Sequence, residues 1–481
     1  MPRSACVHPA YQATATQALE RNGYLTQGQL AIQLEIALST VSRFFRGIRI
    51  SISNFENICE ALALNPNEII LPPSDTSSPS ASDPTLKPSA PSSTQSTQFF
   101  AYDPFWVGRH SLIQNLTEKL QTTCRLLLIA GISGVGKTAL AERLSSELQP
   151  DTPTLTPPSL TLLRENFDNQ EQPADFASFA ARLLEGSGQV VLPEERSQPQ
   201  LLARRLVAHL QAAPVLVLID SLENILKGNE QEGWSEFKDS EYVSFFQAVL
   251  ASDNFRSRFI LTSQELPAQI QSVGSRYQNS WYAHPLSGLS EAEQQTLYEK
   301  TGFTQELLLT RIGKAYEGHP LALRTILGEI GDRPFFGNVA AYWKRYGTEI
   351  EAVEKALAEA AEGNITGAED EWRLDRFTRA LRRNVQIRLE HTLERLHQDV
   401  RYAYILLCET AVYRCAVPED WWLSHLEDWQ QNEAQQLAAL DALRDRYLVE
   451  ERTEADEILL KQHNLIRSVS LAHLKALTFD S

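Results

Sequence analysis

Long apolar runs are missing from this sequence. None approaches the roughly 18 consecutive apolar residues needed to cross a bilayer, and the N-terminus, MPRSACVHPAYQ, has no apolar signal core. Membrane and secretory readings are excluded on that ground, and a cytoplasmic protein is expected. Cysteine is scarce, at five in 481 residues. Cys6, Cys59, Cys124, Cys408 and Cys415 are scattered, odd in number and without the close pairs of a zinc site, which fits a reducing compartment. Basic charge is in deficit: 44 Lys and Arg stand against 61 Asp and Glu, a net charge of −17. A surface this acidic repels phosphates, so any contact with nucleic acid has to be local. No internal repeat of fixed period is visible. What is present, 43% hydrophobic and 22% charged residues, is ordinary for a globular chain with room for about three domains.

One segment breaks the chain in two. Residues 72–98 hold six Pro and nine Ser in 27 positions, with Leu86 as the one aliphatic side chain. Such a stretch cannot bury enough apolar surface to offset its conformational entropy and reads as a linker. It isolates a head with five arginines and five glutamates, so the −17 resides almost wholly in the body. The division expected is a head at 1–71, a linker at 72–104, a nucleotide-binding domain at 105–285, a helical domain at 286–378 and a winged helix at 379–481. In the body, the short apolar runs LLLIA, VLVLID and RFILTS alternate with helical stretches, which predicts a parallel sheet covered on both faces. From about residue 290 the periodicity is helical through 290–330 and 350–446. Two brief strand-like runs around an acidic turn and a last helix then complete a winged-helix pattern. The fold class expected is therefore an α/β P-loop NTPase with a parallel sheet, followed by a helical domain and a winged helix, with a separate all-α helix-turn-helix head.

The strongest chemical signal is GISGVGKT at 131–138. It matches G-x-x-x-x-G-K-[ST] in full, directly after a strand and directly before a helix. Its glycines let backbone amides wrap a phosphate chain, and the helix N-terminus adds a positive dipole end. Lys137 neutralises β- and γ-phosphate charge in such a loop, and Thr138 ligates Mg²⁺ through its hydroxyl. The run VLVLID ends in Asp220, placed to complete the Mg²⁺ shell. Glu223, three residues on, either orients attacking water or is simply solvated on a first helical turn. The third run ends in Thr262, Ser263 and Gln264, polar groups suited to sensing a terminal phosphate.

These residues, in this order, resemble the NB-ARC branch of the signal-transducing STAND NTPases over about 105–475. FWVGR at 105–109 resembles the opening motif of that family, GHPLA at 318–322 its G-x-P-L-A motif, and QHN at 462–464 its Met-His-Asp motif in the winged helix. The resemblance implies an ADP/ATP site built from Val107, Gly108 and Arg109; from Gly131, Ser133, Gly134, Val135, Gly136, Lys137, Thr138 and Ala139; from Gln264; from Pro320, packing on adenine; and from His463, touching the β-phosphate of ADP. Mg²⁺ falls to Thr138 and Asp220, and catalysis to Lys137, Asp220 and Glu223. Three departures stand out. Gln264 replaces an arginine that senses the γ-phosphate, Ser221 stands where some members carry a second acid, and Asn464 replaces the acid of the ADP lock. Together they predict slow ATP hydrolysis and a biased on/off equilibrium.

The head sequence TQGQLAIQLEIALSTVSR at 26–43 resembles the helix-turn-helix of repressor-like DNA-binding proteins. Leu30, Ala31 and Leu34 pack its first helix and Val41 its second, leaving Ser39, Ser42, Arg43 and Arg46 facing outward to read a major groove and Arg49 to meet a phosphate. Glu35 occupies the usual glycine of the turn, and Ala37 a position where a capping Ser is common. A zero-charge head lacks the basic footprint of most DNA binders, so a protein-docking module stays open. The functional expectation is an ADP/ATP-dependent switch that self-associates with ATP and regulates transcription through double-stranded DNA held by the head. Alternatives are a defence or cell-death scaffold with an interaction head, and an AAA+-like DNA-dependent ATPase or loader. Relatives sense signals through a repeat array, so three alternatives stand open: the winged helix senses the signal, a separate sensor protein is a further partner, or the chain is a fragment.

Overall fold

The computed structural model of the chain describes residues 4–24, 26–70, 106–149, 161–168, 172–229, 234–252, 255–274, 276–277, 279–304, 307–362, 376–454 and 457–477. The expected linker, 72–104, and Phe105 lie outside the described residues.

Five helices make the head: α1 (Gln12–Arg21), α2 (Gln27–Leu34), α3 (Leu38–Phe45), α4 (Ile52–Ala61) and α5 (Pro66–Ile69). A pair of two-residue antiparallel strands, β1 (Ser4–Ala5) and β2 (Ile50–Ser51), ties its N-terminal end to the connection between α3 and α4. Thr26 starts α2 by accepting a hydrogen bond from the Gln29 amide. Glu35 ends it in the left-handed region at φ 53°, where a non-glycine residue costs about 1 kcal/mol. Ala37 caps α3 without a side-chain bond, as a methyl group must. Leu30, Ala31 and Val41 are fully buried and Leu34 packs at the core's edge. That packing set is the one the sequence specified.

In the body, α6 (His110–Gln121) leads into β3 (Leu126–Ala130), and the phosphate loop joins β3 to α7 (Lys137–Glu147). Then come β4 (Thr161–Asn166), α8 (Phe176–Gly186), α9 (Pro199–Ala212) and β5 (Val215–Asp220). A hairpin, β6 (Leu226–Asn229) with β7 (Trp234–Phe237), precedes α10 (Glu241–Ala251), β8 (Arg258–Ser263), α11 (Ala268–Gly274) and β9 (Trp281–Pro285). The five parallel strands lie in the order β4-β5-β8-β3-β9. Strand alternation sends neighbouring side chains to opposite faces. Leu126, Leu128, Val215, Val217, Phe259 and Leu261 accordingly pack with α8, α9 and α10, whereas Leu127, Ile129, Leu216, Leu218 and Ile260 pack with α6 and α7. Both faces are covered, and each fully buried Leu, Ile, Val or Phe side chain contributes roughly 1.5–3 kcal/mol. The order places β8 between the phosphate-loop strand and the strand ending in Asp220, so three strand ends converge on one crevice. This is the α/β P-loop NTPase fold.

A helical domain follows: α12 (Glu291–Lys300), α13 (Leu307–Ala315), α14 (Pro320–Gly331) and α15 (Val339–Glu362). The C-terminal lobe adds α16 (Arg376–Asp399), α17 (Arg401–Glu409), β10 (Val417–Pro418), α18 (Glu419–Ser424), α19 (Glu433–Asp445), the hairpin β11 (Glu450–Glu454) with β12 (Glu457–Lys461), and α20 (Asn464–Leu477). Its three strands are antiparallel in the order β10-β12-β11, the wing anticipated from the two strand-like runs. Buried charges join the lobe to the helical domain. Glu329 of α14 pairs with Arg388 and, at 2.6 Å, with Arg395 of α16; burial alone would raise its pKa, but the two arginines hold the carboxylate down at about 2. Arg446, directly after α19, pairs with Asp332 at 2.8 Å. Removing one partner from such a pair costs about 3–5 kcal/mol. Among the described residues, no helix is long and apolar enough to cross a membrane.

Candidate functional site

The loop at 131–138 has the shape its glycines allow. Gly134 and Gly136 adopt φ of +83° and +97°, the left-handed region that glycine enters without penalty. Neither has room for a Cβ. One at Gly134 would come within 2.8 Å of the His319 ring and 2.9 Å of Leu321, and one at Gly136 within 3.2 Å of the Arg109 guanidinium. Lys137 is buried, and its ammonium donates to the Gly131 and Ile132 carbonyls at 2.8 and 3.1 Å. Burial lowers its pKa, opposed by Glu223 and Asp220.

Facing the loop, Asp220 accepts from the Thr138 hydroxyl through both carboxylate oxygens, at 2.9 and 3.1 Å, and also from the Thr262 hydroxyl. A hydroxyl and a carboxylate side by side supply the hard oxygen donors that Mg²⁺ takes alongside nucleotide phosphates. No group of three or more His, Cys, Asp or Glu able to hold a metal by itself occurs among the described residues. Glu223 lies near the same strand ends. Its carboxylate accepts from the backbone amide and side-chain amide of Gln264 at 3.2 and 2.8 Å. Burial pushes its pKa up against the pull of Lys137. The Gln264 side-chain oxygen is buried with no hydrogen-bond partner, an unmet acceptor in the crevice.

Arg109 arrives from the opposite side. Its guanidinium donates to the Val135 carbonyl at 2.8 Å and the Ser287 carbonyl at 3.1 Å, and its backbone amide donates to Glu293 at 2.5 Å. It braces the loop from below. Val107 is buried beside it, and a Cβ on Gly108 would collide with Glu293.

The helical domain closes over the loop through a residue to which sequence reasoning gave no role. His319 is 1% exposed. Its Nδ1 accepts from the Ala322 amide at 3.3 Å, capping α14, and its Nε2 lies 2.9 Å from the Ser133 carbonyl. Burial drives its pKa down to about 3, and this bonding pattern selects the neutral ring with the proton on Nε2. Pro320 thus sits between two residues, His319 and Leu321, that both reach the phosphate loop. The motif GHPLA was the available signal, and its family resemblance marks the proline rather than the histidine.

The C-terminal lobe also reaches the sheet. His463 accepts from the Leu465 amide at 3.1 Å, and burial, with the nearby charges of Lys461 and Lys137, lowers its pKa to about 3. Beside it, Asn464 donates to Asp168 of the sheet domain. The same carboxylate accepts from Ser221 and Asn224 at 2.6 Å each. A polar cavity of about 200 Å³ opens here, lined by Asp168, Asn224, Arg414, Asn464 and Arg467. Asp168 follows a strand with no motif around it, so nothing in the sequence marked it.

The head residues lie elsewhere than the sequence predicts. Ser39, Ser42, Arg43 and Arg46 were expected to face outward, and they do point away from the head's own core. They meet the body rather than solvent: all eight residues of α3 are buried, and Arg46 is half-buried. Ser39 and Thr40 donate to Asp445 at 2.8 and 2.6 Å. Arg43 pairs with Glu451 at 2.9 Å, and Arg46 donates to the Lys300 carbonyl at 3.0 Å. Arg49 alone of the five is exposed.

Comparison with known proteins agrees with the sheet's architecture. Residues 120–265 match the family model of an AAA domain. A stretch of 232 residues is 26% identical to an uncharacterized WD repeat-containing protein of Nostoc sp., covering 46% of this chain and 17% of that protein. The chain therefore spans about a sixth of that relative's length. Among solved structures, one similar chain is a Signal Transduction ATPase with Numerous Domains (STAND) protein with a tetratricopeptide repeat sensor from Pyrococcus horikoshii. It is 15% identical with a TM-score of 0.43, over 76% of this chain and 42% of that one. Another is Cdc6p from Pyrobaculum aerophilum, 13% identical with a TM-score of 0.32, over 78% and 98% of the two chains.

Proposed function

We propose that this chain is a nucleotide-gated switch: ADP lies between the phosphate loop and the C-terminal lobe and keeps the body closed, and ATP in its place releases that lobe. The observation that supports it best is the convergence of three lobes on one loop. His319 bonds the Ser133 carbonyl, Asn464 bonds Asp168, and the charge of Lys137 lies close enough to His463 to lower the pKa of its ring. A nucleotide moves such an equilibrium only by binding one form better than the other, and a site shared between lobes provides that difference.

In this reading Val107, Gly108, Arg109 and residues 131–139 hold the base side and phosphates, with Pro320 at the adenine and His463 at the β-phosphate of ADP. Thr138 and Asp220 hold Mg²⁺, which offsets phosphate charge. Lys137 neutralises the terminal phosphates, and Gln264 faces them. Glu223 is the water-orienting carboxylate, and its bonds to Gln264 hold it back, so hydrolysis is slow. The parts are a head (1–71), a linker (72–104), a nucleotide-binding domain (105–285), a helical domain (286–378) and a winged helix (379–481). The open form self-associates, a separate protein supplies the signal, and the head contacts double-stranded DNA through Ser39, Ser42, Arg43, Arg46 and Arg49 to regulate transcription.

The decisive experiment is titration of His463→Ala with ADP and with ATP. Loss of one hydrogen bond to a charged phosphate, worth about 1.5–3 kcal/mol, should weaken ADP roughly 10- to 100-fold and ATP far less. Equal losses would reject the lock. A second reading, an AAA+-type DNA-dependent ATPase, is kept open by the AAA-domain match over 120–265. Sustained turnover stimulated by DNA would favour it, whereas a single turnover ending in tightly held ADP favours the switch.

A further inference from the structure

The surface that α3 covers is composite. Its apolar half belongs to the helical domain: Cβ atoms added at Gly302, Gly331 and Gly337 would lie 3.4, 3.7 and 3.1 Å from Leu38, so Leu38 fills a seat that three glycines leave open. Its polar half is shared: the Lys300 carbonyl of the helical domain accepts from Arg46, and in the C-terminal lobe Asp445 receives both hydroxyls and Glu451 the guanidinium. Helix α3 therefore packs on α14 and α19 together, and α14 itself meets the end of α19 so closely that a Cβ on Gly328 would lie 2.6 Å from the Arg446 backbone. The seat exists only while the two lobes keep this arrangement.

The chemistry of the polar half is that of a phosphate contact. Serine and threonine hydroxyls and an arginine fork are the donors that proteins aim at DNA backbone oxygens, and here carboxylate oxygens occupy them. Burial of the whole of α3 also leaves no face to enter a groove. We propose that the body is the competitor of DNA for α3: Asp445 and Glu451 take the places of phosphate oxygens, and the head becomes available to a duplex only when the C-terminal lobe moves away from the helical domain and splits the seat. This rests on the proposed DNA-binding role of the head, and it joins nucleotide state to output without any contact between nucleotide and head.

The test uses the full chain with substitutions confined to the body. Gly331→Leu crowds Leu38, and the double change Asp445→Ala with Glu451→Ala removes the phosphate-like acceptors. Two readouts are taken: hydrogen exchange in residues 38–46, and affinity for a fluorescent mixed-sequence duplex at low salt. If fewer than one molecule in ten has a free head, release tightens apparent affinity about tenfold or more. The proposal expects faster exchange and tighter DNA binding in both variants, with the gain removed by Arg43→Ala. Wild-type protein that binds DNA as tightly as the variants would overturn the masking and leave a DNA-binding head. Faster exchange with no DNA binding by any variant would overturn the DNA reading itself, and this proposal with it. Unchanged exchange in both variants would show that these contacts do not hold the head.

Discussion

Asp445 makes head docking sensitive to pH, with a sign that follows from its surroundings. It is buried beneath α3, with Asp441 on its own helix, Asp332 beyond the end of α14 and Arg43 on α3 as its charged neighbours. Burial, and then the two aspartates, raise its pKa from 3.8 to about 7, against the pull of the Thr40 hydroxyl and Arg43. A carboxyl with a raised pKa in the docked form keeps a proton that the exposed form has lost. Docking is then favoured at low pH and weakens as pH rises from about 4 through 7, becoming level above that. The full span corresponds to roughly 4 kcal/mol if undocking restores an ordinary aspartate. Glu451 responds in the opposite sense: burial would raise its pKa, but Arg444 and Arg43 lower it, so its contribution is lost only below about pH 4.5. The window from pH 5.5 to 8 therefore isolates Asp445. Hydrogen exchange of residues 38–46, corrected for intrinsic rates, should show progressively weaker protection across that window in the wild type. Asp445→Asn keeps an acceptor for Ser39 and Thr40 but cannot ionise, and should flatten the profile. An identical slope in the variant would refute the argument.

Three further outcomes follow from the same contacts. Lys137→Ala removes the one ammonium within the phosphate loop, and calorimetry should find nucleotide binding lost; retained affinity would remove the loop from the site. Asn464→Asp sets a carboxylate against Asp168, and the lost bond plus repulsion, about 2 kcal/mol or more, should speed exchange in α20, with Asp168→Asn restoring protection. No change in α20 exchange would mean that this contact does not tie the lobes. His319→Asn preserves a favoured helix cap but is too short to bond Ser133, so it should loosen residues 131–138 by about 1 kcal/mol, whereas His319→Ala should also fray the start of α14. Equal exchange at α14 in the two variants would contradict a capping role for the ring.

The sequence made the local chemistry legible and the long-range chemistry opaque. GISGVGKT needs only its flanking strand and helix to define a phosphate loop, and the apolar residues of the three runs that became β3, β5 and β8 are all buried, so their composition reveals them. The strands β4 and β9 were missed because they are the sheet's edges: TLLREN and WYAHP are half-exposed and mix polar with apolar residues. The turn of the head was readable from Thr26, Leu30 and Val41, and its weak point at Glu35 appears as a left-handed residue. Nothing in Ser39, Ser42, Arg43 and Arg46 distinguishes a face meant for solvent from one meant for Asp445 and Glu451, which lie some 400 residues away. Polar patterning marks a helix face as polar and cannot identify what covers it. Asp168 and His319 were obscured for the same reason, since each has a decisive partner, Asn464 and the Ser133 carbonyl respectively, in another lobe.

In the proposed switch the terminal phosphate of a bound nucleotide sets the arrangement of the lobes. It is tested most directly by hydrogen exchange on the full chain loaded with ADP and with a non-hydrolysable ATP analogue, each with Mg²⁺, followed at residues 38–46 and 457–470 together. Protection of both segments with ADP and its loss in both with the analogue is the predicted result. Equal protection with the two nucleotides, at binding saturation, would contradict the account.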